Sequence, residues 1–271
     1  MVVRRTVAPG VKISKIEGQD LPFDVKKNVA GVAAEALLKE FHVDFGFEIE
    51  IYKKIKAGSG IGSSAASAAG SVYGINELLG RPFTAHELVS FAMEGESVAC
   101  GAAHADNVAP VLLGGITLVR STAPLEVIKL PSPSELTAVI LHPKIELKTL
   151  HARKILKKNV SMEKAVQQWG NLGAFVSALY QEDYELMSRS LKDGIVEPMR
   201  SLLIPNFENL KKASKDAGAI GFGISGSGPS VFALTQGLKT AKEVAEALKK
   251  NISSIGIDFE LHISNINNQG I

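Results

Sequence analysis

The chain has 271 residues, of which 45% are apolar and 21% charged, proportions typical of a globular protein with one large domain or two modest ones. Thirty basic and 28 acidic residues leave a net charge of +2. This near-balance gives no electrostatic reason to expect nucleic acid or an anionic membrane as a partner. The single cysteine, Cys100, excludes an intrachain disulfide and favours a reducing, cytoplasmic location, and no apolar run reaches the length of a membrane-spanning helix.

The first half of the sequence predicts strands and helices in mixed order. Strands are marked by alternation of apolar and polar residues, and helices by apolar residues at helical spacing. Thr84 and Glu87 have the spacing of a capping box, and Gly80 is a helix-ending signal. In chain order we expect a strand over 11–16, a helix over 27–41, a strand over 45–55, a glycine-rich turn over 58–62, and helices over 63–79 and 84–99.

The second half opens with Pro131 and Pro133 in a polar stretch, which we take as a domain boundary dividing the chain into 1–130 and 131–271. Strands and helices again follow without strict alternation, which indicates an α+β fold. The predicted elements are a strand over 137–141, helices over 148–156, 162–180, 184–191 and 206–217, a strand–turn–strand unit over 220–234, a helix over 240–249 and a strand over 255–263.

The glycine-rich segment GSGIGSSAAS, residues 58–67, lies between a predicted strand and a predicted helix. Glycines let backbone N–H groups approach an anion, and the start of a helix adds unpaired N–H groups and the positive end of its dipole. A Walker A loop is excluded because the segment contains no lysine, and a dinucleotide fingerprint because Ser63 stands where glycine or alanine is required. The alternative is a tight turn followed by a helix whose small residues allow close packing.

A second glycine-rich segment, GFGISGSGPSVFAL, spans residues 221–234. It contains the spacing GxGxxG, but Pro229 and an apolar run follow it where a dinucleotide site needs a helix. Without further information, a turn between two buried strands explains it equally well.

Together the two segments resemble the second and third motifs of the GHMP kinases, a family of ATP-dependent small-molecule kinases. The resemblance implies an N-terminal mixed α/β nucleotide-binding domain, a C-terminal ferredoxin-like α/β sandwich, and ATP with Mg²⁺ as cofactors. Lys56 stands where the family usually has proline. The residues implied at the triphosphate are Gly58, Ser59, Gly60, Ile61, Gly62, Ser63, Ser64, Ala65 and Ser67.

The same resemblance implies a metal site. Ser64 and Glu96 fall on the magnesium-binding serine and glutamate of the family. Glu94 is the competing choice, and two residues apart on a helix the two glutamates point to different faces.

Two further segments indicate the acceptor. GAAHADNVAPVLLGG (101–115) and HPKIELKTLHARKIL (142–156) resemble those GHMP kinases that phosphorylate the hydroxyl of L-homoserine, a step of threonine biosynthesis. Asn107, Thr149 and Arg153 then have catalytic roles, and an arginine fork suits a carboxylate or a transferring phosphoryl group. The residues implied at the substrate are Asn107, Arg153, Arg200, Ser225, Gly226, Ser227 and Gly228.

Several alternatives stay open at this point. A mevalonate- or sugar-type acceptor, or a nucleotide-binding chain without activity, would share the glycine loops. The first motif of the family is not found in this sequence, so we expect the N-terminal domain to be truncated at its start. We expect Asp106 to be structural rather than a catalytic base, His104 to be structural rather than a metal ligand, and a homodimer as one assembly to test.

Overall fold

The structure is a computed structural model that describes residues 1–101, 103–145, 147, 152 and 155–271. The chain forms two compact units, and neither is a continuous stretch of sequence. The first comprises Met1–Ala57, Gly62–Lys129 and Asn267–Ile271, and the second comprises Gly58–Ile61 and Leu130–Ile266. The short segment 58–61, at the heart of the first glycine loop, therefore belongs with the second unit.

The first unit contains a three-stranded sheet in the order β1-β3-β2, formed by β1 (Val2–Thr6), β2 (Gly10–Glu17) and β3 (Gly46–Tyr52). Strand β3 is antiparallel to β1 and parallel to β2. Its alternation buries Phe47, Ile49 and Ile51, which lie at the centre of the unit's core. The predicted strand over 45–55 is therefore confirmed, although pairing ends at Tyr52.

Helices α1 (Val29–Glu40), α2 (Ser63–Leu78), α3 (Ala85–Cys100) and α4 (Val108–Leu113) complete this unit with a hairpin of β4 (Ile116–Thr122) and β5 (Leu125–Leu130). Close packing of the helices depends on small residues. A Cβ at Gly95 would lie 3.0 Å from that of Ala33 and 3.3 Å from that of Ala68. The small residues after the first glycine loop thus serve packing, as the alternative interpretation held, without excluding an anion site at the helix start. The capping box of α3 is confirmed.

The last five residues, Asn267–Ile271, pack on the first unit. The ammonium group of Lys129 donates to Leu113 O (2.6 Å) and to Asn268 O (2.7 Å). The backbone N–H of Ile271 donates to Val111 O at 3.1 Å. A segment that follows the final strand is thereby fixed beside α4.

The second unit is a four-stranded antiparallel sheet in the order β7-β8-β6-β9. Helices precede β7 and β9, so the succession is the β-α-β-β-α-β arrangement of ferredoxin-like domains, as predicted. The strands are β6 (Leu136–Pro143), β7 (Gly221–Ile224), β8 (Val231–Gln236) and β9 (Phe259–Asn265). The helices are α5 (Met162–Gln181), α6 (Tyr184–Ser190), α7 (Glu197–Arg200), α8 (Phe207–Asp216) and α9 (Gly237–Ser253).

The core of this unit lies between the sheet and helices α8 and α9. Val139 and Leu141 of β6 meet Leu210 of α8 and Leu248 of α9, all fully buried. The predicted closing strand over 255–263 begins only at Phe259, because α9 runs to Ser253 and a turn follows it. Most of the predicted helix over 148–156 lies outside the described residues. In the described part of the chain, no helix combines the length and the apolar character needed to span a bilayer.

Candidate active site

The first glycine loop leads into α2 through Gly62, whose φ of +76° lies in the left-handed region that favours glycine. No side chain in the described part of the chain caps this helix. Within the described residues, the backbone N–H groups of Ser63, Ser64 and Ala65 have no hydrogen-bond partner. Because these groups also sit at the positive end of the helix dipole, the start of α2 can bind an anion through its backbone.

The hydroxyl groups of Ser63 and Ser67 face the interior instead. Ser63 Oγ donates to Ile55 O at 2.6 Å, and Ser67 Oγ accepts from Lys53 Nζ at 2.7 Å. Both serines are buried. These hydroxyls are engaged in the fold, and what Ser63 offers an anion is its backbone N–H.

Lys53 joins the end of β3 to the first turn of α2. Its ammonium group donates to Ser63 O as well as to Ser67 Oγ. Burial lowers the pKa of Lys53 from 10.5 to about 8, and the nearby Glu96 carboxylate opposes part of that shift. Together with the Ser63–Ile55 hydrogen bond, Lys53 closes the base of the glycine loop. Sequence reasoning missed this residue, because a single lysine after a strand belongs to no motif.

Ser64 and Glu96 lie in direct contact. Ser64 Oγ donates to Glu96 Oε2 at 3.0 Å. Glu96 is 4% exposed, whereas Glu94 points to solvent, so the structure separates the two glutamates as their spacing on α3 requires. The other carboxylate oxygen, Glu96 Oε1, is buried and has no hydrogen-bond partner among the described residues.

The electrostatics around Glu96 suit a bound cation. Burial raises the pKa of Glu96 and the charge of Asp106 adds to the rise, while Ser64 and Lys53 oppose it. A buried carboxylate with an unsatisfied oxygen is costly unless a cation compensates it. Among the described residues no cluster of three or more His, Cys, Asp or Glu could hold a metal alone. Glu96 and Ser64 therefore fit a magnesium ion that takes its other ligands from phosphate and water.

Asn107 also lies beside the start of α2 in the first unit. It immediately precedes α4, and its side chain forms no capping hydrogen bond. Asn107 Oδ1 would lie 3.7 Å from a Cβ at Gly62, which places the amide beside the start of α2. Asp106 is exposed and His104 is half-buried.

In the second unit, the glycine turn between β7 and β8 holds segment 58–61. Ser225 Oγ donates to Gly60 O at 2.8 Å, and Ser230 Oγ donates to Ser59 O at 2.6 Å. A Cβ at Gly60 would lie only 2.6 Å from Ser225 O, so no larger residue fits there. The second glycine segment thus supports the first through these contacts.

A buried histidine extends this support. His142 Nδ1 lies 2.9 Å from Ser230 Oγ. Since the single hydroxyl proton of Ser230 is used towards Ser59 O, the hydrogen bond requires His142 to carry its proton on Nδ1. Neither Ser230 nor His142 was singled out from the sequence, since they are 88 residues apart.

Arg200 reaches the same turn from α7. Its Nη1 donates to Gly226 O at 3.0 Å and its Nε to Ala152 O at 3.2 Å. Both Arg200 and Gly226 line a cavity of about 400 Å³ within the second unit. Ser227 Oγ is 3.5 Å from Gly228 O. The two remaining predicted residues, Thr149 and Arg153, lie outside the described residues.

Comparison with known proteins agrees with this geometry. The model of the GHMP kinase N-terminal domain matches residues 27–115, and that of the C-terminal domain matches residues 175–254. The chain belongs to the GHMP kinases. It is 44% identical to a homoserine kinase of Chlorobium phaeobacteroides over 96% of this chain and 84% of that protein. Its fold matches the crystal structure of a homoserine kinase from Cytophaga hutchinsonii with a TM-score of 0.96 and 48% identity, over 99% of this chain and 86% of the other.

A more distant structure shares the fold alone. Mevalonate kinase of L. major, in complex with R-mevalonate, aligns with a TM-score of 0.71 at 17% identity, covering 99% of this chain and 85% of that chain. Within the GHMP kinases, the high identity over most of both chains places this protein among the homoserine kinases.

Proposed function

We propose that the chain transfers the γ-phosphoryl group of ATP to the side-chain hydroxyl of L-homoserine, giving O-phospho-L-homoserine and ADP in threonine biosynthesis. The observation that carries the proposal is the buried Glu96 carboxylate, hydrogen-bonded to Ser64 at the open start of α2. The two homoserine kinases compared above share 44% and 48% identity with this chain over most of their length, which supports this acceptor over mevalonate or a sugar.

The polyphosphate of ATP binds through main-chain groups. The unpaired N–H groups of Ser63, Ser64 and Ala65 donate to phosphate oxygens at the positive end of α2. The loop residues before them, Gly58 to Gly62, let the backbone approach closely. Lys53 and Ser230 hold the loop in shape without touching the nucleotide.

Ser64 and Glu96 hold the magnesium ion that accompanies ATP. When bound, the ion neutralises phosphate charge as the transition state develops. Glu96 supplies a carboxyl group that is already buried and oriented, so little reorganisation is required on binding.

The acceptor is positioned by polar side chains. Asn107 hydrogen-bonds the homoserine close to its reacting hydroxyl, and Arg200 pairs with its carboxylate through two parallel hydrogen bonds. Thr149 and Arg153 complete this set, with Arg153 offsetting charge on the transferring phosphoryl group. The hydroxyl oxygen attacks the γ-phosphorus, the bond to the bridging oxygen of ADP breaks, and the hydroxyl proton leaves to solvent. A loose transition state needs little help from a base, so Asp106 has a structural or electrostatic part only.

We place this enzyme in the cytoplasm, where both ATP and free amino acids are available, and we propose a homodimer as its assembly. We also propose that residues 1–130 form the ATP-binding domain and residues 131–271 the C-terminal domain.

The direct test is a substrate panel with the purified chain. We expect ADP formation that requires both Mg²⁺ and L-homoserine, and a phosphomonoester product detected by ³¹P NMR. L-serine, mevalonate and galactose are the comparison acceptors. ATP binding with no transfer to any acceptor would refute the proposal, and faster transfer to mevalonate or galactose would reassign the acceptor.

A further inference from the structure

Three buried residues form a hydrogen-bonded row that ends at the first glycine loop. His142 Nδ1 lies 2.9 Å from Ser230 Oγ, and Ser230 Oγ donates to Ser59 O at 2.6 Å. All three residues are buried and belong to the second unit. The backbone N–H of Ser230 donates to Ser59 O as well, at 3.3 Å. Ser230 therefore holds one carbonyl group of the loop with two donors.

The strand register brings His142 to Ser230. Strands β6 and β8 are antiparallel, with Leu141 opposite Val231. One step further along the same register, His142 stands opposite Ser230, and side chains directly opposite each other on two strands lie within contact distance. On its other side β6 pairs with β9, where His142 is opposite Glu260. Because β6 is paired on both sides, the backbone that carries the imidazole is held in place.

The imidazole determines the direction of the Ser230 hydroxyl proton. A hydroxyl group has one proton and rotates to suit its neighbours. When His142 donates from Nδ1, the hydroxyl oxygen accepts that hydrogen bond and directs its own proton to Ser59 O. If Nδ1 were the acceptor instead, the proton would turn to the ring, and Ser59 O would keep only the longer bond from the Ser230 N–H. The 2.6 Å distance between Ser230 Oγ and Ser59 O agrees with the first arrangement.

The carbonyl group that Ser230 holds belongs to the peptide group between Ser59 and Gly60. In this trans peptide the C=O and N–H bonds point in opposite directions, so the Gly60 N–H faces away from Ser230. Among the described residues this N–H donates no hydrogen bond, which leaves it for a phosphate oxygen. Gly60 has a φ of +82°, and glycine adopts positive and negative φ about equally readily. The peptide group can therefore turn over, and the hydrogen bonds to Ser59 O select one of its two orientations.

We propose that His142 is a positioning residue for ATP. Its Nδ1–H keeps the Ser230 hydroxyl directed at Ser59 O, and thereby keeps the Gly60 N–H turned outwards for a phosphate oxygen. This role rests on the proposed function, in which the first glycine loop binds ATP. Because His142 acts only through Ser230 and the loop, its loss should weaken ATP binding and leave the KM for L-homoserine unchanged.

Asparagine and leucine at position 142 form a matched pair, because their side chains have the same shape. His142→Asn has an N–H group as many bonds from the backbone as Nδ1, so it can still donate to Ser230 and should bind ATP within about twofold of the parent. His142→Leu cannot donate, and its dissociation constant for ATP should rise about fivefold. Circular dichroism confirms folding, and His142→Gln, whose amide lies one bond further out, replaces a leucine variant that does not fold. Equal ATP affinity of the asparagine and leucine variants would overturn the proposal.

A double variant tests whether His142 acts through Ser230. Ser230→Ala removes the hydroxyl and should raise the dissociation constant for ATP about tenfold, and adding His142→Leu should cause no further loss. Additive losses, or a KM for L-homoserine that rises as much as the KM for ATP, would contradict the proposal. A parent chain that does not bind ATP would refute the proposed function itself. A parent that binds ATP and a leucine variant that binds it equally well would refute only the role of His142.

Discussion

Ser64 Oγ and Glu96 Oε2 are joined by a 3.0 Å hydrogen bond that ties the first turn of α2 to α3. The bond orients the carboxylate and leaves its second oxygen buried and unpaired among the described residues. A buried carboxylate with an unpaired oxygen has an unfavourable desolvation energy and contributes little to stability by itself. Binding of a cation in the working enzyme would explain why Glu96 is buried in this way.

Replacing Glu96 by glutamine is therefore expected to separate function from stability. Glu96→Gln keeps the shape but removes the charge, so we expect kcat/KM to fall about a hundredfold or more and the Mg²⁺ requirement to rise. The free energy of unfolding should not fall, because burying the ionised carboxylate is unfavourable. Steady-state kinetics against Mg²⁺ concentration and thermal melting measure the two effects. Glu94→Gln, at an exposed position two residues away, is the control and should leave both unchanged.

Lys53 should leave a signature in the pH dependence of stability. Its pKa is about 8 in the folded protein and near 10.5 when unfolded. Between these values the unfolded chain binds more protons than the folded one, so the free energy of unfolding contributed by this group rises with pH across that window. The measurement is urea unfolding at several pH values from 7 to about 10. In Lys53→Met this contribution should vanish, and an unchanged pH profile in the variant would contradict the assignment.

Gly60 should tolerate alanine far less well than Gly58. Both have positive φ, so an alanine is strained by about 1 kcal/mol or more at either site. At Gly60 the new Cβ would also lie 2.6 Å from Ser225 O and 2.7 Å from Gly228 O, whereas at Gly58 the nearest atom among the described residues is Leu147 O, at 3.7 Å. We expect Gly60→Ala to weaken ATP binding much more than Gly58→Ala, as measured by calorimetric titration. If the two variants lost ATP affinity equally, the contact between Gly60 and the second glycine segment would be unimportant for ATP binding.

Replacing Arg200 should change the KM for L-homoserine more than the KM for ATP. Arg200→Gln removes the guanidinium proposed to pair with the homoserine carboxylate, and we expect the KM for L-homoserine to rise about tenfold or more. The KM for ATP should change little. Arg200→Lys should recover only part of the loss, since an ammonium group cannot form two parallel hydrogen bonds. Arg189→Gln, an exposed arginine paired with Glu185 within one helix, serves as the control.

Asp106 gives a test of the proton transfer. Asp106→Asn should lower turnover by less than about tenfold, because the transition state is loose and the carboxylate is exposed. Single-turnover kinetics isolate the chemical step. A loss of about a thousandfold would identify Asp106 as a base and would change the proposed mechanism.

Local features of this protein could be read from sequence. The structure contains three features that depend on neighbouring residues only. They are the capping box of Thr84 and Glu87, the start of a helix directly after Gly62, and the alternation around Ile49. The two glycine segments were also recognisable, since their backbone requirements are met by few residue types.

Features that depend on distant pairs could not be read in this way. Ser230 supports Ser59 across 171 residues, and Lys53 matters because α2 folds back over the end of β3. The predicted start of β9 was wrong because Ile255 and Ile257 continue its alternation, although Ile255 lies in a turn and Ile257 precedes the first paired residue, Phe259. Hydrophobic pattern alone does not indicate where hydrogen bonding between strands begins.

The attachment of residues 267–271 beside α4 has a consequence for biosynthesis. As the polypeptide leaves the ribosome, the part that includes β1 to β5 emerges first. The C-terminal segment, whose Asn268 O accepts a hydrogen bond from Lys129, emerges last. The amino-terminal unit can therefore reach its final form only after the sheet of the other unit has been synthesised. Expressing residues 1–130 as an isolated fragment would leave the Lys129 ammonium and the Val111 carbonyl without these native partners.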